Sequence, residues 1–227
     1  MNKDFIKGQI DKVTDSIETL KHTHKLDYDI NICVASKYAT AEEVRFIHSQ
    51  GLRLFGENRV QDALQKQAQL TDLDINWHFI GHLQTNKINK ILPSFNCIQS
   101  IDRLELIEQL DKKCKAQNIK KDILLQFNSG EDPNKFGFSI NDQNSLLEQL
   151  ENYDSLNVKG LMLIAPLIKE EKQLGLIFDK TKKIYDNFKE KYATLTMLSM
   201  GMSQDYKLAI KCGSNMVRIG RFIFKEG

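Results

Sequence analysis

Two groups of residues in this 227-residue chain have types and spacing suited to chemistry. The first is a single lysine. Lys37 stands just past an apolar run at 30–36, in the segment Val-Ala-Ser-Lys-Tyr-Ala-Thr. A lysine there is either a solvated surface group, the commoner case, or a nucleophile held at the rim of a sheet. A nucleophilic lysine must present a neutral amine. Its reference pKa is about 10.4, so burial or nearby cations would have to lower it. The second group is Ser199-Met200-Gly201-Met202-Ser203, followed by Arg218-Ile219-Gly220-Arg221. The glycines let backbone approach a ligand closely, and Ser199 and Ser203 offer hydroxyls. If a helix starts after Ser203, its free N–H groups point at the same spot, which suits a phosphate. The plain alternative is an N-capped helix after a strand.

These residues need elements to hold them. A helical spacing of Phe5, Ile6, Ile10, Val13, Ile17 and Leu20 predicts a leading helix over 3–25. Short apolar runs follow at 30–36, 52–55, 77–80, 96–99, 123–127, 158–164, 195–199 and 216–219. Helical patterns separate them. Thr40-Ala41-Glu42-Glu43 reads as a capping box and Gly51 as the stop of the helix it opens. Thr85 and Ser203 are candidate caps for later helices. Strands separated by helices imply crossovers and a parallel sheet. Eight such units fit a single (β/α)8 TIM barrel with an extra N-terminal helix, a single domain over 1–227; a doubly wound open sheet is the alternative.

The totals exclude several classes. Thirty-two basic and 30 acidic residues give a net charge of +2, which argues against bulk binding to nucleic acid. The four cysteines lie far apart and form no Cys-x-x-Cys pair, so neither a disulfide framework nor a zinc site is expected. The first residues are charged and amphipathic, unlike a signal peptide. No apolar run nears the roughly 20 residues that span a bilayer. The expectation is a cytoplasmic protein with no membrane partner.

In a barrel of this kind function collects at the carboxyl ends of the strands. There the sequence places Lys37, Gly56-Glu57-Asn58, Gly81-His82, Asn128, the 199–203 segment and Gly220-Arg221. A lysine amine and a phosphate pocket on one rim suit a ligand with an aldehyde and a phosphate. Pyridoxal 5′-phosphate (PLP) has both. Glu57 has no visible partner for acid–base work. The lysines at 112, 113, 115, 120 and 121 read as a solvated helix and loop.

The blocks VASKYAT, LFGENRVQD, WHFIGHLQTNK, KFGF, VKGLMLIAP and LSMGMSQDYKLAIKCGSNMVRIG stand in this order over about 31–224. Together they resemble the YggS/PROSC family of PLP-binding proteins. The resemblance implies a barrel like the N-terminal domain of alanine racemase, with PLP held by Lys37 as a Schiff base. It implies that Ser199, Gly201, Ser203 and Gly220 cradle the phosphate, that Arg218 lies near the pyridine nitrogen, and that Asn58 and His82 lie close by. Arg221 stands where the family usually has Thr or Ser, so it either meets the phosphate as a charged donor or points away. The family implies a role in PLP homeostasis without established turnover, with PLP-dependent apoenzymes as recipients and a monomer or weak homodimer. A small racemase-like enzyme is the alternative. The short tail after the last strand leads us to expect no second domain to close the site.

Overall fold

The computed structural model describes residues 2–225. α1 (Lys3–Thr23) opens the chain, with Asn2 accepting the Phe5 N–H and a buried stripe of Ile6, Ile10, Val13 and Ile17. The strands are β1 (Asn31–Ala35), β2 (Leu54–Glu57), β3 (Asn76–Phe79), β4 (Cys97–Ile101), β5 (Lys121–Phe127), β6 (Leu156–Leu163), β7 (Met197–Met202) and β8 (Met216–Ile219). All pairings are parallel and follow chain order. β8 returns to pair with β1, placing Cys33 opposite Arg218, and this closes the barrel. An open doubly wound sheet is thereby excluded.

The helices of the outer ring are α2 (Ala41–Ser49), α3 (Val60–Gln67), α4 (Ile88–Ile91), α5 (Leu104–Gln117), α6 (Gln143–Gln149), α7 (Glu171–Lys191), α8 (Tyr206–Lys211) and α9 (Arg221–Phe224). α2 starts as its sequence dictates. Thr40 Oγ1 accepts the Glu43 N–H at 3.2 Å, and the Glu43 carboxylate accepts the Thr40 N–H at 2.8 Å. The main core lies between sheet and helices, where alternate strand residues such as Phe55, Phe79, Phe127, Leu161 and Val217 are buried. Each such fully buried side chain contributes about 1.5–3 kcal/mol. The other strand face points into the barrel. Part of it is the small cluster Cys97, Leu124 and Met162, with Met197 and Ile164 against it.

Four local expectations change. Thr85 heads a 3-10 turn (Thr85–Lys87) instead of capping it by a side-chain bond. Ser203 does not cap α8; Asp205 occupies that position. β7 runs on to Met202, so Ser199 to Met202 belong to the strand and not to the turn after it. A register slip makes this extension: Ser199 pairs with Met216, but Met202 pairs with Arg218. Three steps on β7 match two on β8, a bulge that leaves Gly201 at φ +95°. Lys121 is buried, because its amine reaches the carbonyls of Leu92 and Phe95 at 2.8 and 2.5 Å.

Candidate functional site

Lys37 lies two residues beyond β1, in a turn fixed by what precedes it. Ser36 is fully buried. Its hydroxyl donates to Glu57 Oε1 at 2.7 Å, and its carbonyl accepts from Lys66 Nζ at 2.6 Å. Lys66 also pairs with Glu57 Oε1 at 2.5 Å, with side chains 9% and 0% exposed. Glu57 therefore does have a partner, nine residues on along α3, and the pair anchors the backbone that presents Lys37. The second Glu57 oxygen is buried with no hydrogen-bond partner.

The Lys37 side chain itself is exposed, not buried. Its amine lies 4.7 Å from the Tyr38 ring centroid, and the Lys225 amine lies 5.4 Å from the same ring. Among the described residues Lys37 enters no ion pair.

A cavity of about 450 Å³ opens beside it at the carboxyl ends of the strands. Lys37, Asn58, Ser203, Arg218, Gly220 and Arg221 all line it, so six of the nine residues singled out in the sequence meet there. Tyr38, Ile80 and the 164–167 segment complete the wall, including Leu167, which is 92% exposed. Among the described residues Lys37, Arg218, Arg221 and Lys225 bring four cationic side chains to the lining and Asp205 brings one carboxylate, which is tied to the Met202 N–H. The electrostatic balance favours an anion.

Arg218 is 4% exposed. Its NH1 donates to the Ser199 carbonyl at 2.8 Å and to Ser199 Oγ at 2.7 Å, and NH2 donates to the Leu163 carbonyl at 2.6 Å. Burial lowers its pKa from the ordinary arginine value, and Cys33 and Asp205 oppose that shift. The neighbouring Cys33 thiol is itself pushed up to about 12, chiefly by burial. It is thus a neutral thiol at physiological pH. Among the described residues no carboxylate pairs with Arg218.

The Ser203 hydroxyl lies across the start of α9, accepting from the Gly220 and Phe222 N–H groups at 3.4 and 3.2 Å. These donors and the hydroxyl form a polar corner of the cavity. Gly220 is required by close approach. A Cβ there would stand 2.8 Å from the Ala35 carbonyl oxygen. The donor set fits PLP: the primary amine of Lys37 at the first strand, a buried cation that no carboxylate among the described residues pairs with, and a corner of N–H, hydroxyl and guanidinium donors suited to a phosphate.

The other three residues lie elsewhere. Ser199 is fully buried inside the barrel, beneath the cavity. Gly201 shapes the bulge and does not line the cavity. A Cβ there would lie 2.6 Å from Ala209 Cβ and 2.9 Å from Tyr206 Cα, so its absence lets α8 pack closely. His82 stands to one side, Nδ1 2.9 Å from Asp102 Oδ2, with Phe136 stacked on it at 3.8 Å. Tyr38, Lys66 and the 164–167 wall were not read as site residues, and Glu57 was placed at the rim without a role. The exposed tyrosine beside Lys37 was the one local signal.

Comparison with known proteins agrees with this fold. The family model described as alanine racemase, N-terminal domain, matches residues 9–226. A Helicobacter pylori protein named pyridoxal phosphate homeostasis protein is 36% identical over 224 residues, covering 97% of this chain and 98% of its own. An Aquifex aeolicus protein of the same name is 37% identical over 193 residues, covering 85% of each chain. The structure of PipY from Synechococcus elongatus with PLP bound superposes with a TM-score of 0.82 at 33% identity, covering 93% of this chain and 99% of that one. At 14% identity a Clostridium difficile alanine racemase shares the fold, with a TM-score of 0.78. The closed parallel barrel, the lysine past its first strand and these full-length matches place the chain in the alanine racemase N-terminal domain family, among the pyridoxal phosphate homeostasis proteins.

Proposed function

We propose that this protein holds PLP as a Schiff base on Lys37 and serves in PLP homeostasis as a carrier, without amino-acid turnover. The observation that carries the reading is the meeting of Lys37, Arg218, Ser203 and Gly220 in one cationic cavity. Lys37, on the cavity wall, would hold the cofactor through its aldehyde end. Ser203, Arg221 and the N–H groups at Gly220 and Phe222 would hold the phosphate, and Arg218 would face the pyridine nitrogen.

When bound in enzymes, PLP supplies an electron sink. A guanidinium beside the ring nitrogen opposes protonation of that nitrogen by like-charge repulsion, which weakens the sink. The exposed Lys37 amine also favours exchange over exclusion of water. The cytoplasm is the proposed compartment, in keeping with four free cysteines, and PLP-dependent apoenzymes are the proposed recipients.

The purified protein with PLP should show a visible absorption band, and borohydride should fix the label on Lys37 by peptide mapping. An unchanged band in Lys37→Ala would refute the assignment. Tyr38 gives a specific ground for a racemase-like alternative, since its phenol lines the same cavity beside Lys37. That reading requires exchange of an amino acid's α-hydrogen with solvent deuterium well above the rate of free PLP. No such excess across a panel of amino acids supports the carrier.

A further inference from the structure

Ser199, expected at the phosphate, is buried inside the barrel. It is one member of a chain of four polar side chains that crosses the barrel interior. Arg218 on β8 donates to Ser199 Oγ on β7 at 2.7 Å. Ser199 Oγ donates to Gln99 Oε1 on β4 at 2.7 Å. Gln99 Nε2 reaches His78 Nδ1 on β3 at 2.8 Å and Met216 Sδ on β8 at 3.3 Å. All four are at most 4% exposed. Arg218 lines the upper cavity, and His78 lines a separate cavity of about 510 Å³ at the amino ends of the strands.

The direction of the chain is fixed at both ends by chemistry. A guanidinium has donors and no acceptor, so Ser199 Oγ must accept from Arg218. Ser199 then has its one proton to give to Gln99 Oε1, the atom that faces it. At the other end a thioether sulfur can only accept, so Gln99 must turn its NH₂ toward Met216. The two constraints agree on one amide orientation. The second Gln99 N–H then points at His78 Nδ1, which must be an acceptor. That bond requires a neutral His78 with its proton on Nε2.

We propose that Gln99 and Ser199 are positioning residues, and that with neutral His78 they form a one-way hydrogen-bond chain that holds the Arg218 guanidinium in the cavity wall for the cofactor. The inference rests on the PLP reading above for its effect on the cofactor, but not for the chain itself. Burial pushes the His78 pKa down to about 4, in accord with a ring that stays neutral. A half-satisfied buried network is costly, so the members are expected to fail together. Ser199 Oγ is one of three acceptors on the guanidinium, and its removal leaves Arg218 with two carbonyls and more freedom to turn.

The test has a cofactor-free arm and a cofactor arm. Nitrogen-15 NMR of the cofactor-free wild-type protein at neutral pH should show His78 as the Nε2–H tautomer. An Nδ1–H tautomer or a doubly protonated ring there overturns the chain. Gln99→Glu puts an acceptor against His78 Nδ1, so the ring should gain a proton on Nδ1; persistence of the Nε2–H tautomer alone would count against the proposal. In the cofactor arm, Ser199→Ala and Gln99→Leu should each weaken PLP binding by about tenfold and shift the visible band. Folded variants with wild-type affinity and an unmoved band overturn the positioning role. Should either fail to fold, the wild-type tautomer and Gln99→Glu still decide. A wild-type protein that binds no PLP refutes the proposed function instead, and the NMR arm judges the chain independently.

Discussion

Lys66→Met tests how the Lys37 turn is held. The substitution keeps most of the apolar stem and removes only the ammonium. Glu57, with no exposed side-chain surface, would be left with the Ser36 hydroxyl on one oxygen and nothing on the other. Breaking a buried ion pair from one side costs about 3–5 kcal/mol, because the stranded charge keeps its desolvation penalty. That is a large share of the 5–15 kcal/mol or so that holds a typical domain together. For a chain of this size the melting temperature should fall by roughly 10 °C. Glu57→Met should cost a similar amount by stranding the Lys66 ammonium. The double variant should return to within about 1 kcal/mol of wild type, since two apolar side chains of similar volume fill the same space. Urea unfolding at pH 7 in a double-mutant cycle gives the coupling directly.

The same variants separate stability from function. Two of the Ser36 tethers run through this pair, one to Glu57 and one from Lys66, while its bonds to the Gly56 carbonyl do not. The double variant removes those two while restoring the fold. Its PLP affinity should therefore stay down by about tenfold or more, the loss expected for hydrogen bonds to charged groups. Single variants that each lose less than about 1 kcal/mol would refute the buried pair as an anchor. A double variant of wild-type stability and wild-type PLP affinity would show that the pair has no part in presenting Lys37.

Two further outcomes follow from the geometry. Gly201→Ala combines a positive φ of +95° with a Cβ 2.6 Å from Ala209 Cβ; it should destabilise by about 2–5 kcal/mol in urea unfolding, and a loss below 1 kcal/mol or so would mean that the bulge relaxes freely. His78 gives a pH limb: its folded pKa lies near 4, below the unfolded value of about 6.5, so the unfolded state binds the extra proton between them. Stability is then full above about pH 6.5 and falls as pH drops toward 4, by about 3 kcal/mol, and His78→Gln should flatten that limb relative to wild type.

The alternation of strands and helices was legible because each element carries its own local signal. The Thr40–Glu43 capping box is realised as written, and each of the eight apolar runs became a strand. What no local signal carries is closure. Whether β8 returns to β1 is decided by pairing Cys33 with Arg218, 185 positions apart by difference of their numbers, and the open sheet stood as an alternative for that reason. Ser203 was misread as a cap because serine and aspartate two residues apart compete for the role. The bulge at Gly201 decided it, by carrying the strand to Met202 and leaving Asp205 at the head of α8.

The site was legible in proportion to how far each residue acts through its own position. Lys37 needs only to follow a strand, and Arg221 only to follow the last one. Ser199 differs, because its role depends on which way a strand residue faces. The strand continues past it, so it alternates with buried Leu198 and Met200 and turns inward, where Arg218 and Gln99 already face. There was a usable sign in the sequence. Gln99 falls in the apolar run Cys-Ile-Gln-Ser-Ile, and a glutamine buried there must find partners for both ends of its amide. Only an inward partner from another strand can meet that need in a barrel whose outer face is apolar. The Ser199 hydroxyl is already engaged by Gln99 and Arg218, whereas Ser203 lines the cavity and among the described residues its hydroxyl only accepts.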